Sequence, residues 1–101
     1  MTAEDDTTAL TPVAALEQHR EHIDRIDKTI VALLAQRIRF GLAAGTLKRA
    51  LNRPTRSDVR EAEVLDRVRH TAARPLSAES AERIFRAIIE ETRAAEERAG
   101  E

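Results

Sequence analysis

Between Val13 and Leu51 the chain carries no proline, and its apolar residues form a heptad-like series: Leu16, Ile23, Ile26, Ile30, Leu33, Phe40, Ala44, Leu47 and Leu51. Steps of three, four and seven place such side chains on one helix face, so a single long helix is expected, with Gly41 and Gly45 as its weak points. Pro12 suits a first helical turn. Residues 1–11 are polar and without period, and read as a disordered tail ahead of one helical domain, 12–101.

The pattern breaks at Asn52-Arg53-Pro54-Thr55-Arg56-Ser57. Pro54 disfavours helix at Arg53, and Ser57 or Thr55 can cap the next helix. That second helix is expected from about Asp58 to Ala72, with Ala62, Leu65, Val68 and Ala72 inward. Arg74-Pro75 ends it. Ser77 can cap a third helix running to about Arg98, whose apolar stripe is Ala81, Ile84, Phe85, Ile88 and Ile89.

The first helix predicts an assembly as well as a fold. At about 1.5 Å per residue it is roughly 55–60 Å long, whereas a compact chain of this size has a radius of gyration near 13 Å. One copy cannot cover it. The economical solution is a second copy packed along it, so the expected architecture is all-α, three helices per chain, in an intertwined homodimeric bundle.

Composition narrows the chemistry. Of 101 residues 42% are apolar, and the two aromatics are Phe40 and Phe85, a mix that favours helix over sheet. Seventeen basic side chains nearly cancel eighteen acidic ones, leaving no net positive field to hold a nucleic acid. Without cysteine there is no disulfide, thiolate nucleophile or thiolate metal site. The acidic start, Met1 to Leu10, lacks the apolar core of a secretory signal, and no apolar run is expected to reach membrane-spanning length, so a soluble cytoplasmic protein is the default. His19 and His22 lie three apart but have no further ligand cluster, so no metal site is expected. Nothing resembles a Ser-His-Asp arrangement or a phosphate-binding glycine loop.

Polar residues that interrupt the apolar stripes carry the remaining signal, because burying one without a partner is costly. Arg37 takes the slot between Leu33 and Phe40, and Lys48, eleven residues on, returns to within about 20° of the same face, roughly 16 Å along the axis. Taken alone, Arg37 could snorkel to a surface carboxylate and Lys48 be solvated. Arg20 lies about 25 Å before Arg37, too far to share a ligand within one chain, but within reach of a partner's site in an antiparallel dimer. On the third helix the stripe continues into Thr92 and Glu96, spaced four apart, which either face the core or sit on a frayed end. Arg60 and Glu61, in the first turn of the second helix, could be ordinary surface charges.

The ordered set Arg20-x-x-Ile23-x-x-x-Asp27, Leu33-Leu34-Ala35-Gln36-Arg37, Gly45-x-x-Lys48, Arg53-Pro54-x-Arg56-x-x-x-Arg60-Glu61 and Ile84-Phe85-x-x-Ile88-Ile89-Glu90-Glu91-Thr92 resembles the all-helical chorismate mutases, from about Leu16 to Glu96. The resemblance implies a cofactor-free isomerase converting chorismate to prephenate, in aromatic amino-acid biosynthesis by the shikimate pathway or in aromatic secondary metabolism. It further implies that Arg37, with Arg20 from the other subunit, holds the substrate's carboxylates, and that Lys48 contacts a carboxylate and the ether oxygen. By the same resemblance Arg60 supports the charge network, Glu61 accepts the ring hydroxyl and Thr92 helps bind a carboxylate. Such a rearrangement is unimolecular, so the site must hold the bent conformer and stabilise charge developing on the ether oxygen.

Two positions depart from the pattern. Glu96 stands where many bacterial relatives carry Gln, and as a carboxyl it can donate to the ether oxygen only when protonated, so an acid-shifted rate profile is expected. Ser57 stands where Asp is frequent, beside the ring-hydroxyl subsite. That leaves room for a 4-amino-4-deoxychorismate mutase; an isochorismate pyruvate-lyase is a second alternative on the same scaffold, though the Pro-containing stretch from Arg49 to Arg60 looks more like the mutases. Outside enzymes, the alternative is a helical dimerisation module without a ligand.

Overall fold

The computed structural model describes residues 11–100, and of the expected N-terminal tail only Thr11 falls within that range. Three helices follow one another: α1 (Pro12–Ala50), α2 (Asp58–Thr71) and α3 (Ala78–Gly100), with no strand among the described residues. The all-α architecture with one very long helix is as expected. The described chain falls into two units that divide within α1, one ending at Leu33 and the other beginning at Leu34.

Local chemistry explains where each helix starts and stops. Thr11 caps α1: its Oγ1 accepts from Ala14 N (3.1 Å) and its carbonyl from Ala15 N (2.8 Å), with Pro12 in the first turn where no N–H is needed. At the other end Asn52 takes φ 57°, and the N–H groups of Asn52 and Arg53 donate to the carbonyls of Arg49 (3.1 Å) and Lys48 (2.8 Å). This is a Schellman ending, with asparagine in the left-handed position that glycine more often fills. It folds the chain back towards the helix it has just left. Of the two capping candidates for α2, Ser57 serves, accepting from Arg60 N at 3.2 Å. Ser77 caps α3 through Ser80 N (3.1 Å).

In the unit formed from Leu34 onward, α3 lies against the face of α1 that carries Arg37 and Lys48. The half-buried and buried positions are Leu34, Arg37, Ile38, Gly41, Leu42, Gly45 and Lys48, whereas Phe40, Leu47 and Leu51 of the heptad series are exposed. Gly41 and Gly45 do not weaken the helix, which runs through both. They are the places where α3 comes closest. A β-carbon on Gly41 would collide with Cγ2 of Thr92, and one on Gly45 would stand 3.3 Å from Cγ of Glu96. On α2 the inward positions are Glu61, Val64, Leu65, Val68 and Ala72; Ala62, expected there, is exposed.

The unit ending at Leu33 consists of the first part of α1. Its apolar side chains are open: Leu16, Ile23, Ile26, Ile30 and Leu33 are between 47% and 57% exposed. Among the described residues Ala81 is the one apolar side chain that is buried. The stretch 30–47 also has a mean hydropathy of 1.4 with two charges, Arg37 and Arg39, so the expectation that no apolar run would reach membrane-spanning length does not hold on composition. Two arginines near the middle of that stretch are costly in a bilayer, at about 2.5–3.5 kcal/mol each.

Candidate active site

A pocket of about 650 Å³ opens in the unit formed from Leu34 onward, bounded by α1, the Asn52–Ser57 loop, the start of α2 and the end of α3. Six cations line it (Arg37, Lys48, Arg53, Arg56, Arg60 and Arg93) against two carboxylates (Glu61 and Glu96), within a chain whose net charge is −1. Phe40, Ala44, Pro54, Val64 and Ile89 supply its apolar wall. The size suits a small metabolite, and the surplus of four positive charges suits an anion.

Each polar group is held by an element whose geometry follows from the sequence. Arg37 donates from Nη1 to Thr92 Oγ1 at 2.7 Å, and Thr92 Oγ1 donates to the Ile88 carbonyl one turn back at 3.0 Å. The Thr92 hydroxyl therefore has its hydrogen directed to the backbone and a lone pair directed to Arg37. It orients the guanidinium. The absence of a side chain at Gly41 lets this contact form. Burial lowers the Arg37 pKa, as does the neighbouring charge of Arg60, while Glu96 opposes both; so basic a group stays charged throughout.

Lys48 donates from Nζ to the Thr55 carbonyl (3.0 Å) and lies 3.4 Å from Glu96 Oε2. The Schellman turn is what carries the Thr55 carbonyl back over α1. Thr92 and Glu96 are 7% and 6% exposed, so the α3 stripe does continue inward and this end of the helix is packed. No buried side-chain polar atom among the described residues lacks a hydrogen-bond partner.

Glu61 is approached from two sides, by Arg93 Nη1 at 3.4 Å on Oε1 and by Arg56 Nε at 3.5 Å on Oε2. Arg93 also pairs with Glu90, and that hydrogen bond, ahead of the charges of Glu61 and Glu97, raises its pKa. Arg60 is exposed, 3.5 Å from Glu63. Ser57 lines the pocket, but its hydroxyl is engaged in capping α2.

Seven of the eight residues singled out in the sequence thus line one pocket: Arg37, Lys48, Ser57, Arg60, Glu61, Thr92 and Glu96. The eighth, Arg20, belongs to the other unit, where it is exposed and pairs with Glu17 at 3.3 Å. Sequence reasoning missed Arg93 and the Thr55 carbonyl, and quoted Arg56 in the family pattern without giving it a role. A signal for Arg93 was present, since it follows Ile89 by four and so extends the apolar stripe as Thr92 does. A backbone carbonyl leaves no such trace.

Fold and pocket together define an all-helical protein with a cationic site for a small anionic molecule. The family model for chorismate mutase type II matches residues 19–97. Among solved structures, chorismate mutase (form II) from Thermus thermophilus is similar over 83% of this chain and 96% of its own, at 27% identity and a TM-score of 0.81. No curated protein sequence matches. The chain belongs to the chorismate mutase type II family. Its activity is that of the family, the isomerisation of chorismate to prephenate.

Proposed function

We propose that chorismate is held bent in this pocket by Arg37, Lys48 and Arg60 together with Arg20 of a second copy of the chain. The observation that carries the reading is the surplus of positive charge lining the pocket in a chain that is net negative. Arg37, oriented by Thr92, faces one carboxylate; Arg60 adds to the field. Lys48 reaches a carboxylate and the ether oxygen on which negative charge develops as the C–O bond breaks. Fixed cations stabilise that charge better than water because they need not reorient as it forms. Glu61 accepts the ring hydroxyl. Glu96, when protonated, donates to the ether oxygen; when ionised, it neutralises the Lys48 charge that the substrate needs.

Two copies complete the enzyme in this reading. The open stripe Leu16, Ile23, Ile26 and Ile30 and the near absence of buried apolar side chains favour a homodimer that covers the stripe. Arg20 would then enter the partner's pocket. No cofactor takes part, because the rearrangement needs only positioning and electrostatics. A soluble, cytoplasmic dimer is the acting form.

The test is a product analysis combined with subunit mixing. Purified protein given chorismate should yield prephenate, and isochorismate should yield no pyruvate. Arg20→Ala and Arg37→Ala should each be nearly inactive alone. Mixed and re-equilibrated in equal amounts, they should recover about a quarter of wild-type turnover, since half the dimers are mixed and each of those holds one intact site. No recovery on mixing would sink the shared site, and a monomer in sedimentation would sink the dimer.

A further inference from the structure

The pair of arginines on Glu61 bears on which ring substituent the pocket accepts. An isolated carboxylate would suit a hydroxyl, by accepting its hydrogen, or an ammonium, by ion pairing. Glu61 is not isolated: Arg93 Nη1 stands 3.4 Å from one oxygen and Arg56 Nε 3.5 Å from the other. Both arginines line the pocket. Their other partners, Glu90 and Asp58, are exposed and are not pocket-lining groups, so water screens them more than it screens the arginines. Arg93 is the better placed of the two, its side chain 16% exposed against 60% for Arg56.

We infer that Arg93, seconded by Arg56, is a specificity-determining residue that makes the Glu61 subsite select a neutral hydroxyl over an ammonium. The inference rests on the proposal that Glu61 faces the ring substituent. With its charge already matched by two cations, Glu61 offers a lone pair but little net negative potential. A carboxylate has about four lone-pair positions, so two arginines leave room for one O–H donor. An ammonium placed there gains one anion but meets two cations, in a pocket that already carries a positive surplus.

The experiment compares kcat/KM for chorismate and for 4-amino-4-deoxychorismate in the full-length protein. Wild type should prefer chorismate. Arg93→Gln should shift the ratio towards the amine by about tenfold, the effect of one unit charge at a few ångström in a partly wet pocket. Arg93→Lys, which keeps the charge, should hold the wild-type ratio, and Arg56→Gln should shift it less than Arg93→Gln. Circular dichroism checks folding, and should Arg93→Gln fail to fold, Arg56→Gln carries the test. A ratio unchanged in the neutral variants, including an equal loss on both substrates, overturns the inference. Failure of the underlying reading has a different signature: Glu61→Gln would then turn over chorismate as wild type does.

Discussion

The two stretches of α1, up to Leu33 and from Leu34 onward, differ in what each is built to meet. From Leu34 onward the face towards α3 is made of notches and charges: Gly41 and Gly45 admit Thr92 and Glu96, and those same two side chains are the hydrogen-bond partners of Arg37 and Lys48. The stretch ending at Leu33 instead carries Leu and Ile side chains that are about half exposed in the single chain. By periodicity alone the Leu and Ile stretch has the character of a core, being apolar and regular. Yet the chain folds its own α3 onto the notched face. Small residues permit helices to approach closely, and close approach is what lets short polar groups such as Thr92 reach across. The bulky stripe is suited instead to the long, low-angle packing of one helix along another.

Breaking the apolar face should have the largest effect. Ile26→Asp with Ile30→Asp places charges in the stripe that a second copy would cover, and buried unpaired charges are severely destabilising. Sedimentation should show a monomer, with activity abolished and helicity much reduced. Unchanged assembly would show that the stripe is not an interface.

Gly41→Ala tests the notched face and should act on turnover more than on stability. Alanine gains about 1 kcal/mol of helix propensity over glycine, against an overpacking cost of about 1–3 kcal/mol. The new methyl group must displace Thr92, whose rotamer is tied to Ile88 and Arg37. We expect kcat/KM to fall about tenfold as Arg37 loses its orienting partner, with a melting temperature within about 10 °C of wild type. A full loss of folding would mean that the notch serves stability first.

Glu96→Gln sharpens the chemistry of the same face. A glutamine amide donates without gaining a proton and carries no charge to pair with Lys48, so kcat/KM for chorismate at neutral pH should rise above that of wild type. Equal kcat/KM in the two proteins would exclude Glu96 from the reacting centre.

The smallest expected effect lies at the other end of α3. Glu82 accepts from Arg86 (2.7 Å) and from Arg69 of α2 (3.0 Å), and these hydrogen bonds, Arg86's first, hold its pKa below the usual carboxylate value. A depressed folded-state pKa adds stability above the unfolded value, about pH 4.3, and that stability is lost as pH falls through the folded value. Thermal melts of wild type and Glu82→Gln should therefore differ slightly at neutral pH and converge on acidification. A gap that persisted at low pH would assign the effect to packing.

Much of this was legible from residue order. Helix number, the proline break, the Ser57 and Ser77 caps and seven pocket residues follow from period, capping chemistry and family pattern, because each is a local property or a spacing along one axis. Thr11 and Asn52 were less visible, since capping threonines and left-handed asparagines are common away from helix ends. That Gly41 and Gly45 would seat α3 was not legible. Glycine registers in a hydrophobic pattern as a gap, and only the opposing Thr92 and Glu96 turn the gap into a seat. The same holds for Glu61: its spacing marked it as a candidate, but its two arginine neighbours come from a loop and from a helix more than thirty residues away. Spacing along one helix orders side chains on a single axis, whereas the charge a group feels is summed over every element packed around it.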